Sequence, residues 1–243
     1  MRIGILPANG LGKRFKNIYD FKPLAPIKKD NIEDVMFIHS INNIGVNFDI
    51  IFVICHNKNV NFFNKFIGKS KFPIRVIPLS KETNGPLHTI LSINKKLEKF
   101  NDYEALIFNC DQVLKWKGDK IIANLKPKGA EGIIPTITRL SNRHSYAEIS
   151  KNERHRIIRV REKEVLSDRA TIGLYWFKNM KIFLDAANKC FEANDVAPNK
   201  EFYVSHVYNY LKGKVYEVPI KKFWSLGEEE NYKIYLKGGI QTD

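Results

Sequence analysis

Through the first half of the chain, short apolar runs alternate with segments of helical period. Residues 3–6 form an apolar run that breaks at Pro7 into a glycine-containing loop. Val35, Ile38, Ile41 and Ile44 recur at helical spacing and predict a helix over 35–45 that ends at Gly45. The run DIIFVIC at 49–55 predicts a buried strand, 60–67 a short helix and 74–79 a further strand. Thr83-Asn84-Gly85-Pro86 opens a helix over about 87–97. The strand 104–108 then ends in Asn109-Cys110-Asp111-Gln112. Past residue 130 the texture changes to β-type runs at 132–138, 146–150, 156–161 and 170–177. Helices over 180–194 and 201–211, a strand at 215–219 and a last helix over about 228–236 follow. This alternation predicts one α/β domain with a mixed sheet, whose first half (about 1–130) carries one substrate and whose second half (about 131–243) adds a pocket for another.

Composition narrows the class. A chain of 243 residues with 44% hydrophobic residues supports a substantial core. No apolar run approaches the roughly 18 residues of a spanning helix. The first residues lack the basic-then-apolar order of a secretory leader. Cys55, Cys110 and Cys190 are far apart without metal spacing and read as reduced thiols in a cytoplasmic protein. The net charge of +14 is spread over scattered lysines such as Lys58, Lys65, Lys69, Lys71, Lys95, Lys96, Lys99, Lys126 and Lys128. No compact basic arm, zinc finger or aromatic RNA-binding signature accompanies them, so an anionic substrate is expected rather than a nucleic acid.

The loop after the first run carries the first candidate chemistry. Gly10 and Gly12 permit close backbone approach, consecutive loop N–H groups can hold an anion, and Lys13, Arg14 and Lys22 add cations. Arg14 can fork two donors onto phosphate oxygens. The sequence matches neither G-x-x-x-x-G-K-[ST] nor G-x-G-x-x-G, and an ordinary strand-to-helix turn accounts for the loop equally well. Asp111, directly after a buried strand, is placed to hold Mg²⁺ through one carboxylate plus substrate phosphates, or to cap its own turn. Asn109 and Gln112 could add hydrogen bonds. Glu162 could accept sugar hydroxyls and Lys163 could meet a phosphate, unless Arg161–Glu164 is only a charged strand exit. Residues 83–89 present small side chains and backbone at a helix start, suited to a nucleobase or phosphate edge or simply to capping. Tyr203, Tyr208 and Tyr210 read as the packing face of a helix, and Trp224 as core or pocket wall. The six histidines show no metal spacing, and no Ser/His/Asp set stands out.

Taken together, these motifs resemble the nucleotidyltransferases that activate sugar 1-phosphates, including members from capsule and surface-polysaccharide clusters. Residues 7–15, PANGLGKRF, look like that family's signature loop and Lys22-Pro23-Leu24 like its lysine motif. Asn109-Cys110-Asp111-Gln112 looks like the metal-aspartate segment and 146–149 like a strand beneath the sugar. Glu162-Lys163 looks like the Glu-Lys pair, 170–175 like the glycine strand after it, and 201–203 and 224–232 like the C-terminal elements. The resemblance implies a single-domain, Rossmann-like three-layer α/β sandwich with a central mixed, mostly parallel sheet. It implies attack by a sugar 1-phosphate oxygen on the α-phosphorus of a nucleoside triphosphate, giving a nucleotide-sugar and pyrophosphate. Arg14, Lys22 and Asp111 would be catalytic, with Asp111 on Mg²⁺. Leu6, Ala8, Asn9, Gly10, Gly12, Lys13 and Gly85 would bind the nucleotide. Tyr146, Glu162, Lys163 and Gly173 would bind the sugar phosphate. No protein nucleophile is required, since the catalysis is positioning and electrostatics. No nucleic acid or membrane insertion is implied; a homo-oligomer is compatible.

Departures from the family pattern matter. Asn9 stands where alanine or glycine is common, and Ala147 follows Tyr146 where glycine often lies. Trp224-Ser225-Leu226-Gly227-Glu228 lies where many members have W-x-D-x-G-T, so Ser225 replaces a second metal aspartate and Glu228–Glu230 are the carboxylates nearest to it. Three alternatives stay open: a cytidylyltransferase for a non-sugar phosphate such as phosphocholine, a catalytically silent nucleotide-sugar-binding relative, and, on charge alone, a nucleic-acid-binding protein.

Overall fold

The computed structural model describes residues 1–10, 19, 21–29, 32–141 and 144–238. Its strands are β1 (Arg2–Ala8), β2 (Pro26–Lys29), β3 (Ile32–Val35), β4 (Ile50–His56), β5 (Ile74–Leu79), β6 (Glu104–Phe108), β7 (Gln112–Leu114), β8 (Ala130–Thr138), β9 (Ser145–Ile149), β10 (Arg156–Glu162), β11 (Arg169–Thr171), β12 (Leu174–Phe177), β13 (Lys214–Pro219) and β14 (Phe223–Ser225). Its helices are α1 (Met36–Asn42), α2 (Val60–Asn64), α3 (Pro86–Leu91), α4 (Asn94–Leu97), α5 (Gly118–Leu125), α6 (Met180–Glu192) and α7 (Glu229–Leu236). Among the described residues ten strands form one sheet in the order β11-β9-β10-β13-β8-β12-β6-β1-β4-β5.

The sheet is mixed, with parallel pairing gathered at one end and mostly antiparallel pairing at the other. Strands β5, β4, β1 and β6 are parallel, the part that βα connections build. Beyond β6 the pairings are antiparallel except β8 with β13. Side chains of the parallel strands alternate between two cores, as a pleat requires. Ile3, Ile5, Phe52, Ile54 and Ile107 meet Leu87, Ile90, Leu97 and Phe183 of α3, α4 and α6 on one face. Leu6, Ile51, Val53, Leu106 and Phe108 meet Ile38, Ile41, Phe63 and Ile122 of α1, α2 and α5 on the other. This is the expected three-layer arrangement. A smaller third cluster ties the β2–β3 hairpin to α7 through Ala25, Ile27, Leu226, Tyr232 and Tyr235.

Several expected elements differ. The helix over 87–97 is two pieces, α3 and α4, because Ile93 leaves helical geometry between them (φ −121°, ψ 18°). The run 170–177 is two strands broken at Ile172-Gly173, where Gly173 turns at φ +74°. The helix expected over 201–211 is an extended approach followed by a 3₁₀ segment, Val204–Tyr210. Elements that the periodicity missed are α5, the β2–β3 hairpin and the short β7–β14 pair. The hairpin and the ribbon are too short to establish a period, β7 and β14 being three residues apiece.

The nine lysines singled out above are all exposed, as solvated faces are. The three cysteines are free, and burial pushes each thiol up to about 12, out of the reactive range. Among the described residues no helix is long and apolar enough to cross a membrane.

Candidate active site

In the parallel half the chain steps outward from β1 through β4 to β5, then returns to place β6 on the other flank of β1. Connections leaving β1 and β6 therefore diverge, and the gap between their carboxyl ends is where open α/β sheets bind ligands. A cavity of about 420 Å³ opens there. Pro7 lines it from β1, Asn109 and Asp111 from the turn after β6, and Gly173 from the bend before β12. It continues over Ser145, Glu162, Tyr175 and Tyr203 from the second half of the chain.

Asp111 is the charged centre of the near end. Lys22 Nζ lies 2.6 Å from its Oδ2. The β7–β14 ribbon fixes the backbone behind it: Gln112 is in register with Ser225, and the Leu226 N–H donates to the Asp111 carbonyl at 2.7 Å. Gly227 packs directly on the carboxylate, since a Cβ there would stand 2.4 Å from Asp111 Oδ2. Ser225 and Glu228 line the same cavity. Among the described residues no group of three or more His, Cys, Asp or Glu forms a metal cage. The donor set present, Asp111 with Glu228 lining the same cavity, fits Mg²⁺, which takes one or two carboxylates and completes its shell with water and substrate phosphate.

The far end is built around Glu162, 6% exposed at the end of β10. Ser145 Oγ and Ser205 Oγ both donate to its Oε2, and its backbone N–H donates to His206 Nε2 at 2.9 Å. Burial raises its pKa, against the pull of Ser145, Lys163 and Ser205. Burial, together with the Glu162 charge, pushes the Tyr175 hydroxyl up to about 12. Lys163 adopts φ +61°, rare for a residue with a Cβ, and its N–H donates to the His144 carbonyl at 2.8 Å. That turn lays the Lys163 ammonium 5.5 Å from the centre of the Tyr203 ring. Tyr203 is thus a wall of the cavity, where the sequence suggested a helix packing face. Tyr208 packs as expected, its ring stacked on Phe177 at 4.5 Å.

The other predicted positions fall out unevenly. Asn9 is buried; its Nδ2 donates to the Lys81 carbonyl and to Thr83 Oγ1 at 3.1 and 3.0 Å, and its Oδ1 has no hydrogen-bond partner among the described residues. The two acceptors fix which way that amide faces. Ala8 is buried beside it, and Gly10 is exposed. Leu6 is core and does not reach the cavity. Gly85, at φ +93°, serves a close approach: a Cβ would lie 2.5 Å from the Phe202 carbonyl, and it is the following Pro86 that lines the cavity. Tyr146 is fully buried with its hydroxyl donating to the Ser141 carbonyl at 2.6 Å, so it supports the far end from beneath and does not line it. Gly12, Lys13 and Arg14 lie outside the described residues. Ser145, Ser205, His206 and Gly227 belong to the site and were not singled out in sequence; two of them sit in a segment that reads as an ordinary helix.

The Nucleotidyl transferase family model matches residues 3–225. Among solved structures, a nucleoside-diphosphate-sugar pyrophosphorylase from Vibrio cholerae superposes with a TM-score of 0.74 at 18% identity, over 96% of this chain and 99% of that one. A candidate glucose-1-phosphate thymidylyltransferase from Bacillus anthracis, solved with sucrose, gives 0.73 at 17% identity, over 100% and 96%. At these identities the two structures establish the fold. No curated protein matches significantly. With the family model spanning both the Asp111 end and the Glu162 end of the cavity, the chain belongs to the nucleotidyl transferase family.

Proposed function

We propose that this nucleotidyltransferase joins the nucleoside monophosphate part of an NTP to a sugar 1-phosphate, releasing pyrophosphate. One observation carries the reading. A single cavity at the switch point between β1 and β6 has the Asp111–Lys22 pair at one end and a buried, hydroxyl-buttressed carboxylate, Glu162, at the other. A phosphate chain suits the first end and a polyhydroxyl group the second.

In this reading residues of about 1–130 receive the nucleotide and those of about 131–243 the acceptor. Ala8, Asn9 and Gly10 form the base edge, and the buried Asn9 Oδ1, without a donor among the described residues, is an acceptor that a base N–H would satisfy. Gly12, Lys13 and Arg14 would wrap the triphosphate. An oxygen of the acceptor phosphate attacks the α-phosphorus; that P–O bond forms as the bond to the β-phosphate oxygen breaks, and pyrophosphate leaves with the electron pair. Lys22 neutralises charge at the α-phosphate, Arg14 steadies the leaving pyrophosphate, and Lys163 orients the acceptor phosphate. Glu162 accepts acceptor hydroxyls through Oε1, while Ser145 and Ser205 hold Oε2. Asp111 and Glu228 would hold Mg²⁺, whose contribution when bound is to screen the phosphate charges and align the α-phosphate. The product is a nucleotide-activated glycosyl donor of the kind surface-polysaccharide assembly consumes.

Phosphocholine is a second acceptor with one observation in its favour: the Tyr203 face already accommodates a cation, Lys163, beside the Glu162 carboxylate. Pyrophosphate release with Mg²⁺, measured across the common NTPs against a panel of sugar 1-phosphates and phosphocholine, tests both. Release restricted to one NTP with one sugar 1-phosphate is expected. Release with phosphocholine alone would replace the acceptor, and silence with tight nucleotide-sugar binding would assign a non-catalytic role.

A further inference from the structure

Strand β10 loses its partner where the candidate acceptor site begins. It pairs with β9 through Glu162, but β13 covers its other edge only at Arg156 and Ile157. Val160 and Glu162, two residues apart, turn their backbone groups toward that uncovered edge, as the period of a strand requires. What meets them there is side chain. Asn209 Oδ1 accepts the Val160 N–H at 2.8 Å, and Asn209 Nδ2 donates to the Val160 carbonyl at 2.9 Å. His206 Nε2 accepts the Glu162 N–H at 2.9 Å.

The spacing explains why 204–210 is 3₁₀ where the sequence suggests an α-helix. In a 3₁₀ helix residues i and i+3 eclipse, about 6 Å apart along the axis. Two residues of strand advance about 6.6 Å. His206 and Asn209 therefore stand in step with Val160 and Glu162. In an α-helix the same pair would be about 60° out of line and about 4.5 Å apart. Ser205, on the same turn, donates to the Glu162 carboxylate, so one segment grips both the backbone and the side chain of that residue.

His206 is itself held. It is 1% exposed, with Nδ1 3.1 Å from Asp195 Oδ1. Asp195 in turn takes Arg161 Nη1 at 2.8 Å and the Tyr210 hydroxyl at 3.1 Å. Because the Glu162 N–H donates to Nε2, that nitrogen carries the lone pair and the neutral ring's proton is on Nδ1, facing Asp195.

We propose that the 3₁₀ segment 204–210 acts as a side-chain surrogate for a missing strand, and that His206, oriented by Asp195, is a positioning residue that sets Glu162 for the acceptor hydroxyl. The acceptor role of Glu162 rests on the function proposed above; the grip on the β10 edge does not. His206→Leu removes the acceptor of the Glu162 N–H, whereas His206→Gln keeps a side-chain oxygen that can reach it. His206→Leu is expected to raise the KM for the acceptor on the order of tenfold with the KM for NTP within about twofold, and His206→Gln to recover most of that loss. Nitrogen-15 NMR of the wild-type ring is expected to show the Nδ1–H tautomer. An unchanged acceptor KM in a folded His206→Leu, equal rises in both KM values, or an Nε2–H ring would each overturn the proposal. If His206→Leu does not fold, His206→Gln and the ring tautomer decide. A wild type inactive with every acceptor refutes the reaction, while the tautomer still tests the strand surrogate.

Discussion

Lys22 and Asp111, 89 residues apart in sequence, form a 2.6 Å ion pair at the mouth of the β1–β6 crevice, with side chains only 22% and 14% exposed. The pair puts a cation and an anion side by side where a triphosphate and a metal would arrive. In the proposed reaction both charges would gain partners from substrate, leaving the contact poised for exchange. Its loss should affect chemistry more than folding. Asp111→Asn keeps the size and can still accept from Lys22, so we expect kcat to fall about 10²–10³-fold. The thermal midpoint should move by no more than about 3 °C. Full activity of the variant in saturating Mg²⁺ would remove Asp111 from the metal.

Gly173 is a backbone requirement. At φ +74° it lets the chain turn between β11 and β12, and a Cβ would strike Asn109 Nδ2 and Gln112 Nε2, both at 2.4 Å. Gly173→Ala should cost about 1–3 kcal/mol and lower the thermal midpoint by about 5 °C. Displaced Asn109 and Gln112 flank Asp111, so kcat should fall as well. A variant as stable and active as wild type would show that the bend relaxes freely.

Glu162 supplies the pH dependence. Burial raises its pKa, so the folded chain holds that proton more tightly than the unfolded chain does. Stability contributed by the neutral carboxyl is therefore present below the unfolded value and is lost as pH rises through the raised folded value. Glu162→Gln, which stays neutral, should raise the thermal midpoint near neutral pH and have little effect at acid pH. The same variant should raise the acceptor KM about 10–100-fold, the cost of losing a charged hydrogen-bond acceptor. For wild type the acceptor KM should climb as pH falls through the raised range. Thermal scans and kinetics at several pH values check both; a midpoint that drops at neutral pH would refute the burial argument.

Lys163 offers a test that separates the two proposed substrates. Its strained turn carries the ammonium to the Tyr203 ring at the far end of the cavity, away from Asp111. Lys163→Ala should weaken acceptor binding about tenfold or more and leave nucleotide affinity within about twofold. Calorimetric titration with each ligand reads this directly. A fall in nucleotide affinity alone would move Lys163 to the other substrate.

The parallel half was legible because its strands are apolar runs of five to seven residues: 74–79 and 104–108 are strands with the expected bounds. Asp111 was legible because it follows the apolar β6, and Glu162 and Lys163 because they close β10; strand ends are where sheets place ligands. Three-residue β7 and β14 carry no period, so nothing in sequence brings Gly227 onto Asp111. Tyr203 and His206 were obscured for a different reason. Residues 201–211 were expected as a helix, and the demand that makes 204–210 a 3₁₀ segment comes from the uncovered edge of β10, whose bonded residues lie 44 and 49 positions earlier, a tertiary constraint that local pattern does not contain. Tyr146 followed the motif to the right strand but faces the core, because it is the alternation of β9 that decides which side a residue lines.

The measurement that tests the central claim most directly is phosphorus-31 NMR of the chain incubated with Mg²⁺, NTP and sugar 1-phosphate. The account predicts pyrophosphate and a new phosphoanhydride diester in equal amounts, only when both substrates are present, and neither from Asp111→Asn on the same timescale. Pyrophosphate or free phosphate appearing from NTP alone, with no new diester when the acceptor is added, would contradict it.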